Sequence, residues 1–109
     1  MSSSCVKIIK SYDEFRIFKD KSKRGIIFYS ASWCTACSTI KPLYERIAAR
    51  YSKHVRFAYC DIDFPGTALD FSAIPVFVTY YKGKEINSLV GSDKNGMKDL
   101  IREIITHKD

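Results

Sequence analysis

The chain has 109 residues, of which 46% are hydrophobic and 28% charged, with a formal net charge of +6. That length supports one buried core, so residues 1–109 are read as a single domain, and no apolar run approaches the roughly 20 residues of a membrane helix. The 18 basic residues are scattered, and the densest run, KDKSKR at 19–24, includes Asp20; the charge reads as a solvated basic face rather than a nucleic-acid surface.

In chain order, Val6-Lys7-Ile8-Ile9 is a short strand. The opening MSSSCVKIIKSYDEF carries early acids and no apolar leader, from which a reducing, cytosolic location is expected. Ser11-Tyr12-Asp13-Glu14 has the S-x-x-E pattern of a capping box, and Phe15 and Phe18 behind it share one helix face. That helix is expected to run to about Lys21 and break near Gly25. Residues 25–31 form an unbroken apolar run, the pattern of a strand buried on both faces. From 34 to about 51 the period turns helical, with Ile40, Leu43, Tyr44, Ile47 and Ala48 on one stripe and Pro42 inside, where a missing N–H is expected to kink the helix. A strand follows over 54–62, then a turn at Phe64-Pro65-Gly66 and a short helix within 67–71. Residues 76–81 and 85–90 make a hairpin around Lys82-Gly83-Lys84. Ser92 or Asp93 caps a last helix to about Thr106, with Met97, Leu100, Ile101, Ile104 and Ile105 inward. Helices between the early strands imply parallel pairing, and the hairpin adds antiparallel strands, so the fold class is α/β with a mixed sheet.

Cys34 and Cys37 are two legs of a metal site, the halves of a reversible disulfide, or two buried thiols. Cysteines three apart on a helix lie on one side, within reach of a disulfide. Free N–H groups and the positive end of the helix favour a thiolate at Cys34, while Cys37 lies deeper. The expected division of labour has Cys34 attack a substrate disulfide and Cys37 resolve the mixed disulfide. Trp33 beside them is a docking platform or a loop anchor. A zinc site needs two further ligands, and His54 and His107 stand far apart in the chain, so no metal is expected. Cys60 reads as a buried hydrophobe in a central strand and Cys5 as exposed. Asp61 and Asp63 read as a polar cluster at a strand end.

Trp33-Cys34-Thr35-Ala36-Cys37 after a buried strand, followed by Lys41-Pro42, resembles the active-site segment of the thioredoxin family. Asp61-Ile62-Asp63 is similar to the acidic end of its third strand, Ile74-Pro75 to the cis-proline dipeptide facing the cysteines, Lys82-Gly83 to its hairpin turn, and Val90-Gly91 to the glycine ending its last strand. The resemblance implies a thioredoxin fold, with a central mixed five-stranded sheet flanked by four helices. It implies a cis Ile74–Pro75 bond and a substrate-binding surface of Trp33, Ile74, Pro75 and Gly91. It also implies a monomeric protein-disulfide reductase that binds no cofactor and takes electrons from an NADPH-dependent thioredoxin reductase.

Three departures bear on that transfer. The usual Gly-Pro between the cysteines is Thr35-Ala36, which is expected to make the pair more oxidising and leaves an oxidase or isomerase role open. Phe28 stands where the family carries a buried aspartate and Tyr59 where it carries a lysine, so a buried ionic pair is replaced together by aromatics. Cys37 then lacks the family's proton acceptor; water or a substrate group is left to assist, and resolution is expected to be slower near neutral pH. The segment from Asp61 to Pro75 is also shorter than the family's, which bears on substrate and reductase preference. The alternative from another class is a thioredoxin-fold binding module whose cysteines are incidental.

Overall fold

The computed structural model describes residues 5–63 and 73–108. Its elements are β1 (Val6–Ile9), α1 (Tyr12–Lys21), β2 (Arg24–Ser30), α2 (Thr35–Tyr51), β3 (Arg56–Asp61), β4 (Val76–Tyr81), β5 (Lys84–Val90) and α3 (Lys94–Thr106). The strands form one sheet in the order β1-β3-β2-β4-β5; β3 pairs in parallel with β1 and β2, and β4 pairs antiparallel with β2 and β5. This is the expected mixed five-stranded sheet. Three helices lie among the described residues; the expected turn at 64–66 and short helix within 67–71 fall outside them.

Local chemistry accounts for the element ends. The Ser11 hydroxyl accepts from the Glu14 N–H at 3.1 Å, and the Glu14 carboxylate accepts from the Lys10 N–H at 2.7 Å. The box is therefore closed one residue before the cap. α1 stops at Ser22, whose hydroxyl donates to the Phe18 carbonyl at 2.6 Å. As expected, Gly25 lies in the strand, β2, where a Cβ would lie 3.2 Å from both the Phe18 ring and the Ser22 Cβ. The strand read over 54–62 starts later, at Arg56, because His54 and Val55 still donate to the Tyr51 carbonyl at the end of α2. Lys82 and Gly83 both take positive φ, 50° and 85°, as a two-residue primed turn requires. Asp93 is the cap of α3, accepting from the Gly96 N–H at 3.1 Å.

One core lies between the sheet and the helices α2 and α3, built from Ile40, Tyr44, Ala48, Met97, Ile101 and Ile104 against Phe28, Phe57 and Phe77. The opposite core packs Phe18 of α1 on Ile9, Ile27, Tyr29, Cys60 and Tyr80. Both faces of β2 are thereby buried, as its unbroken apolar run predicts. Tyr44 links helix and sheet: its buried hydroxyl lies 2.9 Å from the Ala58 carbonyl and 3.2 Å from that of Ile26. Tyr44→Phe keeps the ring and loses this bond, so it is expected to lower stability by about 1 kcal/mol, read as a urea midpoint shift with redox activity unchanged.

Candidate functional site

The β2–α2 junction sets the site. β2 ends at Ser30, and the Cys34 N–H donates to the Ala31 carbonyl at 3.1 Å, closing a tight turn that delivers Cys34 to the helix N-cap. There the Cys34 sulfur accepts from the Cys37 N–H at 3.2 Å, one of the orphan donors of the first helical turn. An acceptor in that position gains most as a thiolate, since the helix dipole and the aimed N–H both favour negative charge. Cys34 and Cys37 are joined as a disulfide with Cα atoms 5.3 Å apart. The two residues are only 6% and 4% exposed, so the pair lies at the rim of the turn rather than on an open face.

Trp33 forms that rim. It is 65% exposed, and its indole N–H donates to the Asp63 carboxylate at 2.6 Å. Asp63 is placed in turn by its own N–H, which donates to the Asp61 carboxylate at 2.8 Å. The ring is thus a solvent-facing platform held by a strand-end carboxylate, which gives Asp63 a role the sequence reading missed. The only signal for it was the Asp61-Ile62-Asp63 spacing.

Ile74–Pro75 is cis, as expected. Tyr29 of β2 is opposite Val76 of antiparallel β4, so Pro75 stands level with Ser30 at the sheet end that carries Cys34. The Gly91 N–H donates to the Pro75 carbonyl at 2.8 Å, and Gly91 holds φ at +109°, a conformation costly for any residue with a Cβ. Trp33, Cys34, Pro75 and Gly91 therefore gather at one end of the sheet; Ile74 packs partly buried on both cores.

Behind the cysteines Phe28 and Tyr59 meet. The Phe28 ring is fully buried, its centroid 5.6 Å from Tyr59, 5.1 Å from Tyr44 and 4.6 Å from Phe77. The Lys41 ammonium lies 4.7 Å over the Tyr59 ring. The Tyr59 hydroxyl is buried beside the Glu45 carboxylate, and burial followed by that neighbour pushes its ionisation far above the usual tyrosine range. Tyr59 is thus no base at neutral pH.

The remaining candidates fall away from the site. Cys60 is fully buried, and burial, then the Asp61 charge, pushes its thiol up to about 11; Cys5 is exposed. Among the described residues no group of three or more His, Cys, Asp or Glu is placed to hold a metal, and no helix is long and apolar enough to cross a membrane.

The family model "Thioredoxin" matches residues 6–104. The thioredoxin of Coprinus comatus is 32% identical over 105 residues, covering 90% of this chain and 96% of that one. Thioredoxin 1 of Plasmodium falciparum (isolate 3D7) is 30% identical over 101 residues, with 90% and 96% covered. The crystal structure of Malassezia sympodialis thioredoxin superposes with a TM-score of 0.86 at 27% identity, covering 97% of this chain and 96% of that one.

Proposed function

This chain belongs to the thioredoxin family and is a thiol–disulfide oxidoreductase, and we propose that it works in the reducing direction on disulfides of other proteins. In this reading Cys34 is the nucleophile. Its thiolate attacks a substrate disulfide, forming a mixed disulfide and expelling one substrate thiolate. Cys37 then attacks the Cys34 sulfur, releasing the second substrate thiolate and closing the Cys34–Cys37 bond seen here. Trp33, Ile74, Pro75 and Gly91 form the surface on which an extended substrate segment docks, with backbone groups beside the cis-proline available to a strand. The observation that carries the reading is the placement of the Cys34 sulfur at the N-cap of α2, against the Cys37 N–H.

The protein itself needs no cofactor for this exchange, and an NADPH-dependent thioredoxin reductase is the proposed electron donor. It acts as a monomer in the cytosol. Insulin reduction coupled to NADPH and thioredoxin reductase tests this. NADPH consumption that requires both the protein and insulin is expected. A protein that leaves insulin intact yet oxidises a reduced dithiol peptide would place it on the oxidant side, the direction toward which Thr35-Ala36 leans.

A further inference from the structure

Resolution requires Cys37 to lose a proton, because the thiolate and not the thiol attacks a disulfide. Cys37 is 4% exposed, and on its sheet side Phe28 offers no acceptor. A cleft of about 380 Å3 nevertheless reaches it, bounded by Ile8, Phe28 and Tyr59 on the sheet and by Ser38 and Lys41 on α2. That is ample for several waters, and the cleft has the polar partners waters need. Ser30 and Ser32 also line it, and at the end of β3 stands Asp61, the one carboxylate among the described lining residues.

We propose that Asp61 is the proton acceptor for Cys37, taking the proton through water in this cleft. The inference rests on Cys37 being the resolving thiol. In the step, the Cys37 Sγ–H proton passes by a water relay to the Asp61 carboxylate. The Cys37 thiolate attacks the Cys34 sulfur, the Cys34–substrate S–S bond breaks, and the electron pair leaves with the substrate thiolate. Asp61 then returns its proton to solvent, from which the departing thiolate is protonated. No further oxidant or reductant enters, since the mixed disulfide supplies the oxidising equivalent.

Among the described residues, the charged and titratable groups around Asp61 are few. Lys41 lines the cleft from α2, on which Glu45 stands beside Tyr59; Tyr59 and Cys60 come from β3 itself, and Asp63 follows it; the lining residues of β1 and β2, Ile8, Phe28 and Ser30, carry no charge. The Asp61 carboxylate also accepts from the Asp63 N–H, a bond an asparagine oxygen can keep. D61N thus removes the acceptor with little change to the turn.

Two effects of Asp61 on Cys37 have opposite signs. As a proton acceptor it speeds resolution. Acting only through its charge, it would hold the thiol protonated, and its removal would speed resolution instead.

The test is stopped-flow reaction of the reduced protein with one equivalent of an aryl disulfide, in a C5S background because Cys5 is exposed. The first aryl thiolate reports Cys34 attack and the second reports resolution. D61N is expected to leave the first phase unchanged and to slow the second at pH 7 by at least about tenfold, the low end of general-base effects or below. The deficit should shrink with rising pH as hydroxide takes over, and D61E should restore the rate. A second phase in D61N as fast as wild type at pH 7, faster, or slowed equally at every pH overturns the inference. If C37S gives the same second phase as the C5S background, the assignment of Cys37 as resolving thiol fails instead, so the two failures are distinguishable.

Discussion

Phe28→Asp is expected to destabilise the protein by at least about 3–5 kcal/mol, the range for losing a buried phenylalanine, with the cost of an unpaired buried carboxyl added. Against a total stability of about 5–15 kcal/mol for a domain, that leaves a marginal fold. The reason is the cluster around the ring. Phe28 is fully buried and in contact with Tyr44, Tyr59 and Phe77. None of these offers a cation, and the Lys41 ammonium lies over the Tyr59 ring rather than in the core. The size of the loss depends on pH with a definite sign. Burial raises the introduced carboxyl's pKa above its unfolded value near 3.9, so between those two values the native state binds more protons than the unfolded one. Stability of F28D is therefore expected to fall as pH rises from about 4 through the raised value, and wild type lacks this titration. Urea denaturation at pH 5 and pH 8 measures it. A midpoint within experimental error of wild type at pH 8 would show that the aromatic cluster does not hold this core together. In any fraction that still folds, a carboxyl then faces the cleft that reaches Cys37, and resolution is expected to accelerate.

The parts of the fold visible in the sequence are those whose causes are local. The hairpin follows from Lys82-Gly83 between two apolar runs, and both residues take the positive φ that such a turn needs. The inner face of α3 follows from the spacing of Met97, Leu100, Ile101 and Ile104, all of which are buried. The redox pair follows from C-x-x-C at a strand-to-helix turn, where the cap geometry brings the Cys37 N–H to the Cys34 sulfur. What stayed hidden depends on neighbours distant in sequence. Gly25 falls in the expected strand, but the reason it is glycine does not show in the sequence: its missing Cβ makes room for Phe18 and Ser22. Residue types alone do not show how Trp33 is held; its ring is exposed, and Asp63, thirty residues on, accepts from its indole N–H. Asp61 reads as an ordinary strand-end acid, and only the packing of α2 across β3 places it in a cleft with Cys37. The pairing of Phe28 with Tyr59 lies between these cases. The sequence shows both aromatics, while their contact is a fact of register, since β2 and β3 set the two residues side by side.

The second large effect concerns the cysteines themselves. Serine cannot form a disulfide, so C34S is expected to reduce disulfide exchange to the uncatalysed background, whereas C37S should still attack but fail to release. The asymmetry follows from the helix start: the Cys34 sulfur is the N-cap acceptor, and Cys37 lies inside the first turn facing the cleft. Both variants should fold, because each replaces a small buried side chain by a slightly smaller one at the periphery of the core. Incubating each reduced variant, in a C5S background, with a disulfide-bonded protein and resolving the products without reductant by mass spectrometry reads the outcome directly. C37S is expected to accumulate a stable mixed disulfide through Cys34, and C34S to accumulate none. A C34S variant that traps substrate as efficiently as C37S, through Cys37, would contradict the assignment of Cys34 as the attacking thiol.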